Sequence, residues 1–208
     1  MKKIVLGTAV SVLSLGIVLA AGYSIFSRCH PSSAYLLPTS GEREVVMTPS
    51  SPLRASTQIY LNRPVEEVFD YLSNSSSLPQ WMPGLVSVTY EHGDSAVPGS
   101  LAQGSQRTMM FGEQMETETI VQYKRPHVIA YQITAGVPLK NHLAVMMVEP
   151  DGDDDSLLTW HQYFDLDRSS IYGWLMPFLV RRFLNDAEVQ LVNTFGGEFG
   201  ATCQYGPL

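Results

Sequence analysis

Cysteine is nearly absent. Two residues in 208, Cys29 and Cys203, cannot build a disulfide framework, so burial must hold the fold together. Both fall in expected tails outside the folded core, and the sequence leaves open whether they pair. Basic residues are scarce too: 13 Lys and Arg face 20 Asp and Glu, for a net charge of −7. Without residues 1–26, which hold Lys2 and Lys3 and no acid, 11 bases face 20 acids. Such a body repels phosphate backbones and anionic leaflets, which argues against a nucleic-acid partner. No internal repeat is visible. No Gly-x-Ser-x-Gly elbow is present, so a nucleophilic triad is not supported. His127, His142 and His161 fall on neighbouring predicted strands, but no paired or compact His/Cys/carboxylate cluster exists, and neither a metal nor a cofactor is expected. The acidic stretch 151–155 lacks the distal glutamate of a calcium loop and reads as a solvated turn.

What the chain does have is apolar content, 45% against 16% charged, which suits one globular domain with appendages. Lys2 and Lys3 precede 23 uncharged residues, 4–26. As a helix that run would be about 34 Å long, enough to cross a bilayer with the lysines inside. Residues 1–26 are therefore expected to be a transmembrane anchor holding the domain on the extracytoplasmic side of a cytoplasmic membrane. The alternative is a signal peptide, with Val18-Leu19-Ala20 as cleavage pattern, giving a secreted or periplasmic protein. Residues 27–53, rich in Pro, Ser and Thr, are expected as a flexible tether, with a short strand at 44–47. The domain proper is 54–199, and 200–208 is a tail.

Within the domain, 57–61 alternates as a strand does. Asn62 is an N-cap candidate for a helix over 64–72, whose Val65, Val68, Phe69 and Leu72 make a buried stripe. A short helical turn is expected at 78–82. Strands follow at 85–91, 105–111, 115–123, 128–135, 142–149 and 157–166, and their short separators imply antiparallel hairpins. In the 115–123 run, alternation from Met115 turns Thr117, Thr119, Val121 and Tyr123 inward and Glu116, Glu118 and Gln122 to water. In the last strand Trp160, Gln162 and Phe164 share one face and His161 and Tyr163 the other. A long apolar helix spans 169–195; Pro177 is expected to kink or split it, and Gly196-Gly197 to stop it.

Several of these residues match a known pattern. Ile59-Tyr60-Leu61-Asn62-Arg63-Pro64-Val65-Glu66-Glu67-Val68-Phe69 is similar to a family's strand and "apPeeVf" helix start. Leu78-Pro79-Gln80-Trp81-Met82-Pro83-Gly84 matches its "lpeWmPgv" turn, Gly104-Ser105-Gln106-Arg107 its "Gsrr" strand start, and Thr159-Trp160 its last strand. Over about two thirds of its length the chain resembles the START-like, or SRPBCC, superfamily, in its polyketide cyclase/dehydrase and lipid-transport branch. The resemblance implies an α+β helix-grip fold: a curved antiparallel sheet of about seven strands wrapped around a long C-terminal helix, enclosing an apolar cavity. Its motifs belong to the scaffold and leave the activity open.

Candidate cavity-lining residues are Trp81, Met109, Phe111, Met115, Tyr131, Trp160, Phe164, Trp174 and Phe178, each of which could equally be plain core. Arg107 is in phase with Met109 and Phe111, so alternation points it inward. There it either holds an anionic head group or pairs with Glu116 or Glu118 at the rim. For a catalyst the available polar groups are Tyr131, Gln132, His142 and Gln162. The expected function is binding, and transport where exchange is needed, of a hydrophobic small molecule such as a lipid, quinone or polycycle. The rivals are a cyclase- or aromatase-like enzyme on a polyketide-type substrate, and an interaction protein without ligand. Catalytic residues are assigned to none of these positions, and protein partners stay unknown.

Overall fold

The computed structural model describes residues 36–91, 101–166 and 169–204. The expected anchor, Cys29, the turns at Gly93-Asp94 and Pro98-Gly99, and the side chain of Cys203 lie outside what is described. Eight strands form one antiparallel sheet: β1 Leu53–Leu61, β2 Leu85–Glu91, β3 Gln106–Phe111, β4 Gln114–Lys124, β5 Val128–Ala135, β6 Lys140–Pro150, β7 Ser156–Asp165 and β8 Gly197–Gln204. Three helices accompany them: α1 Val65–Ser73, α2 Leu78–Trp81 and α3 Ile171–Phe195. The spatial order is β2-β3-β4-β5-β6-β7-β1-β8. Hairpins run from β2 to β7, and β1 then closes against β7 with Thr57 opposite Trp160 and Ile59 opposite Leu158.

The strand count is one higher than expected. Residues after the Gly-Gly stop do not trail off: β8 pairs along β1, with the backbone of Cys203 opposite Ser56. Gly196 (φ 74) ends α3, its N–H donating to Val192 O at 2.8 Å. Gly197 (φ 113) then brings the backbone against β1 so closely that a Cβ would sit 1.9 Å from Tyr60 O. Only glycine permits that approach.

Helix α1 buries Val65, Val68, Phe69 and Leu72 and carries Glu66 and Glu67 in its first turn, where the helix dipole favours acid. Its N-cap is Pro64, with no side-chain cap, rather than Asn62. Extended backbone at Pro64 (ψ 155) starts the helix at Val65, one residue later than expected. Ser170 caps α3 by accepting from Gly173 N at 3.1 Å, and the helix runs unbroken through Pro177. No helix among the described residues is long and apolar enough to cross a membrane.

The main core lies between the sheet's inner face and the helices. Ile59, Leu158 and Trp160 from the sheet meet Phe69, Leu72, Trp81, Leu184, Ala187 and Leu191 from the helices. A second cluster covers the other face of the sheet. Val128, Ala130, Leu143, Val145 and Met147 there are packed against Leu37, Val45, Met47 and Leu53. The segment expected as a tether therefore lies, over residues 36–52, along the outer face of the sheet. Gln122 pins it, donating to Glu44 O at 2.7 Å and accepting from Val46 N at 3.1 Å. No strand forms at 44–47; the segment is held by side chains and by Val45 N donating to Pro38 O.

Candidate functional site

Helix α3 does two jobs along its length. Its C-terminal half buries Leu184, Ala187 and Leu191 against the sheet. Its N-terminal half stands away from the sheet, and a cavity of about 280 Å³ opens beneath it. Met176, Leu179, Val180 and Phe183 form the helix wall. Phe111 from β3, Ile133 from β5, Val137 and Leu139 from the β5–β6 connection, and Met82 after α2 complete the apolar lining. The polar lining comes from the sheet: Gln114, Glu116 and Glu118 on β4, Tyr131 on β5, His142 on β6 and Gln162 on β7.

Three of these polar groups form one hydrogen-bonded chain. Ile133 N donates to His142 Nδ1 at 3.0 Å, so the imidazole proton resides on Nε2, which meets Gln162 Oε1 at 2.8 Å. The other end of that amide, Gln162 Nε2, donates to the Tyr131 hydroxyl oxygen at 3.4 Å. Burial lowers the His142 pKa to about 4, against the opposing pull of Gln162, so the ring is neutral at physiological pH. Burial likewise raises the Tyr131 phenol well above its ordinary value. With its oxygen accepting from Gln162, Tyr131 keeps its own proton available for a guest.

Behind this chain sits an ion pair. Arg107 Nε donates to Glu118 Oε2, and both residues are only 1% exposed. The guanidinium carbon lies 4.7 Å from the centroid of the Tyr131 ring. Burial opposes the guanidinium's charge, yet Glu118, Tyr131 and Tyr90 outweigh it, and Arg107 stays protonated. Glu116 is the next inward carboxyl on the strand. Burial first, then the neighbouring Glu118, pushes its pKa up to about 8. Glu118 is also raised by burial, against the pull of Arg107.

This arrangement corrects the alternation expected for β4. Glu116 and Glu118 face the cavity and Met115 is 54% exposed. The cause is irregular pairing with β5, between Thr117 and Glu118 and again between Ile120 and Gln122. The second bulge puts both Val121 and Gln122 on the outer face and returns Tyr123 to the inner one, against Phe69. The phase taken from Met115 thus holds only for Tyr123, beyond the bulge; Ile120, fully buried, gives the right phase for the front of the strand.

Of the ten candidate lining residues, Phe111 and Tyr131 are on the cavity wall. Trp81, Met109, Trp160 and Phe164 are buried away from it. Trp81 and Trp160 meet edge to face at 5.8 Å, and Trp160 in turn meets Phe183 at 6.0 Å, so they buttress the wall from behind. Arg107 is paired with Glu118 in the interior rather than at the rim. Trp174 and Phe178 are 48% and 55% exposed and do not line the cavity. Sequence reasoning missed Met176, Leu179, Val180 and Phe183. Their spacing is helical, but helical spacing does not say which half of α3 stands off the sheet.

The histidines are not brought together. His127 contacts Val148 O at 2.9 Å, and His161 bonds Ser56 Oγ at 2.8 Å on the other face of β7. No group of three His, Cys, Asp or Glu among the described residues could hold a metal ion.

Comparison with solved structures returns this fold repeatedly. An uncharacterized protein from Bacillus thuringiensis is 20% identical with a TM-score of 0.52, over 67% of this chain and 96% of its own. XoxI from Bacillus cereus is 19% identical at 0.54, over 68% and 95%. An HSP90 activator from Plasmodium falciparum is 9% identical at 0.52, over 71% and 99%. These identities speak for the fold alone. No curated protein matches the sequence. Residues 52–193, most of the chain, match the family described as polyketide cyclase/dehydrase and lipid transport, and the chain belongs to that SRPBCC-type family.

Proposed function

We propose that the protein binds a small hydrophobic molecule carrying one polar group, held between the sheet and the N-terminal half of α3. The observation that supports this most is the division of the cavity: an apolar helix wall of Met176, Leu179, Val180 and Phe183 faces the polar set of Glu116, Tyr131, His142 and Gln162. Apolar burial at about 25 cal/mol per Å² would supply the affinity, and the polar set would fix orientation. Family membership fits hydrophobic ligand binding. Display outside the cytoplasmic membrane is proposed from Lys2, Lys3 and the uncharged run 4–26. The exposed Trp174 and Phe178 on the outer side of α3 suit approach to an apolar phase.

Nile red binding to the full chain tests the proposal, with Val180→Trp as the reference for dye taken up elsewhere. Saturable fluorescence in the natural chain that Val180→Trp abolishes is expected. Equal signal from both proteins contradicts it.

A second, enzymatic reading is favoured by Glu116. A carboxyl with a pKa of about 8 in the same cavity as a Tyr131 hydroxyl is poised for proton transfer beside a carbonyl-polarising donor. His142 is not that base, since Ile133 N occupies Nδ1 and Nε2 carries the proton. Dehydration of a cyclic β-hydroxyketone, lost in Glu116→Gln, would establish the reading; no turnover by the natural chain would remove it.

A further inference from the structure

We infer that the polar end of the cavity selects an apolar amine, whose ammonium group would lie at Glu116 and Glu118, and refuses a ligand ending in carboxylate or phosphate. The inference rests on the ligand-binding reading above and adds the chemistry of the guest.

The charges that reach the cavity are all of one sign. Glu116 and Glu118 line it, and no Lys or Arg does among the described residues. His142 lines it but is neutral, with a pKa of about 4. Arg107 on β3 is the nearby cation, and it lies behind Glu118 and the Tyr131 ring rather than on the wall. Its charge is matched by Glu118. Tyr90 on β2 and Tyr131 on β5 also border this group, and both phenols are pushed upward by burial, Tyr90 to about 12, so neither contributes charge. Across the cavity α3 offers only Met176, Leu179, Val180 and Phe183, none of which titrates.

Charge balance then decides the guest. One guanidinium faces two carboxyls: Glu118 pairs with Arg107, and Glu116, raised to about 8, adds no net charge while it keeps its proton. An alkylammonium arriving there would replace that proton with an equal charge, leaving the buried sum unchanged. A carboxylate would bring a second negative charge beside Glu118; Arg107 keeps one unpartnered nitrogen, Nη2, but bonds Glu118 through Nε and is not on the cavity wall. An alcohol would keep the proton and gain one hydrogen bond. The expected order is amine, alcohol, carboxylate.

Octylamine, octanol and octanoate share one chain and differ in the end group, and calorimetry on the full chain, with matched nanodisc blanks, compares them. Octylamine is charged at pH 7, as a lysine is. It is expected to bind at least about tenfold tighter than octanoate, with octanol between. Repeating the titration in buffers of different ionisation enthalpy counts protons, and about 0.9 proton should leave per amine bound at pH 7 if Glu116 titrates near 8. Octanol should release none. In Glu116→Gln the proton release should vanish and the amine should lose its advantage over the alcohol. Octanoate binding as tightly as octylamine, or amine binding without proton release, overturns the inference while leaving the ligand-binding reading intact. Failure of all three to bind overturns both. The proton count on the natural chain decides the matter even if Glu116→Gln does not fold.

Discussion

Arg107 and Glu118 are register partners across the β3–β4 ladder, and their side chains meet in a buried ion pair in which Glu118 lines the cavity and Arg107 lies behind it. Strand pairing therefore sets the electrostatics of the site directly. Removing either partner strands the other charge in the interior, which typically costs about 3–5 kcal/mol. Urea unfolding of Arg107→Met and of Glu118→Leu should each show a loss of that size. The double variant should recover most of it, because two apolar side chains leave no unpaired charge. Additive losses in the double variant would mean that the pair is not coupled.

Glu116 makes stability depend on pH. Its folded pKa, about 8, lies above the ordinary value of 4.5, so the folded state binds its proton more tightly than the unfolded chain. That contribution is complete below about pH 4.5 and is lost as pH rises through 8. Thermal melts from pH 5 to 9 should show the natural chain losing stability relative to Glu116→Gln up to about pH 8 and running parallel beyond. Parallel curves throughout would place Glu116 in solvent.

His142 acts in the opposite sense. Its folded pKa, about 4, is below the usual 6.5, so its contribution is present above 6.5 and lost on acidification toward 4. Nitrogen NMR of the imidazole should show the Nε2–H tautomer, because Ile133 N fills Nδ1, and a ring that burial keeps neutral at pH 5.5. Titration near 6.5 would show that the ring is not buried.

Gly197 fastens β8 to β1. In Gly197→Ala the new Cβ would collide with Tyr60 O, at a φ of 113 that L side chains rarely adopt. A loss above about 1 kcal/mol is expected. Amide exchange should speed up along β8 and the facing edge of β1 while β3–β6 keep their protection. Unchanged exchange at β8 would show that the edge pairing tolerates a side chain there.

The strands were largely legible because their apolar residues alternate between turn signals; β2 and β5 fall at the limits expected from sequence. β8 was not, since Gly-Gly reads as a helix stop and the residues after it carry no strong apolar alternation. The outer-face segment was hidden by its Pro and Ser content, although Leu37, Val45, Met47 and Leu53 are what bury it. The polar candidates Tyr131, His142 and Gln162 were identifiable singly, but only the side-by-side placement of β5, β6 and β7 joins them. Glu116 and Glu118 were assigned to solvent because bulges reverse strand phase without a sequence mark.

The most direct test of a guest held between α3 and the sheet is methyl NMR of the full chain during titration with octanol. Ile133, Val137, Leu139, Leu179 and Val180 should shift together along one saturating curve. Val128 and Val145, on the sheet's other face, should stay still. Shifts confined to exposed Leu175, or none that saturate, would mean that nothing is bound where the cavity lies.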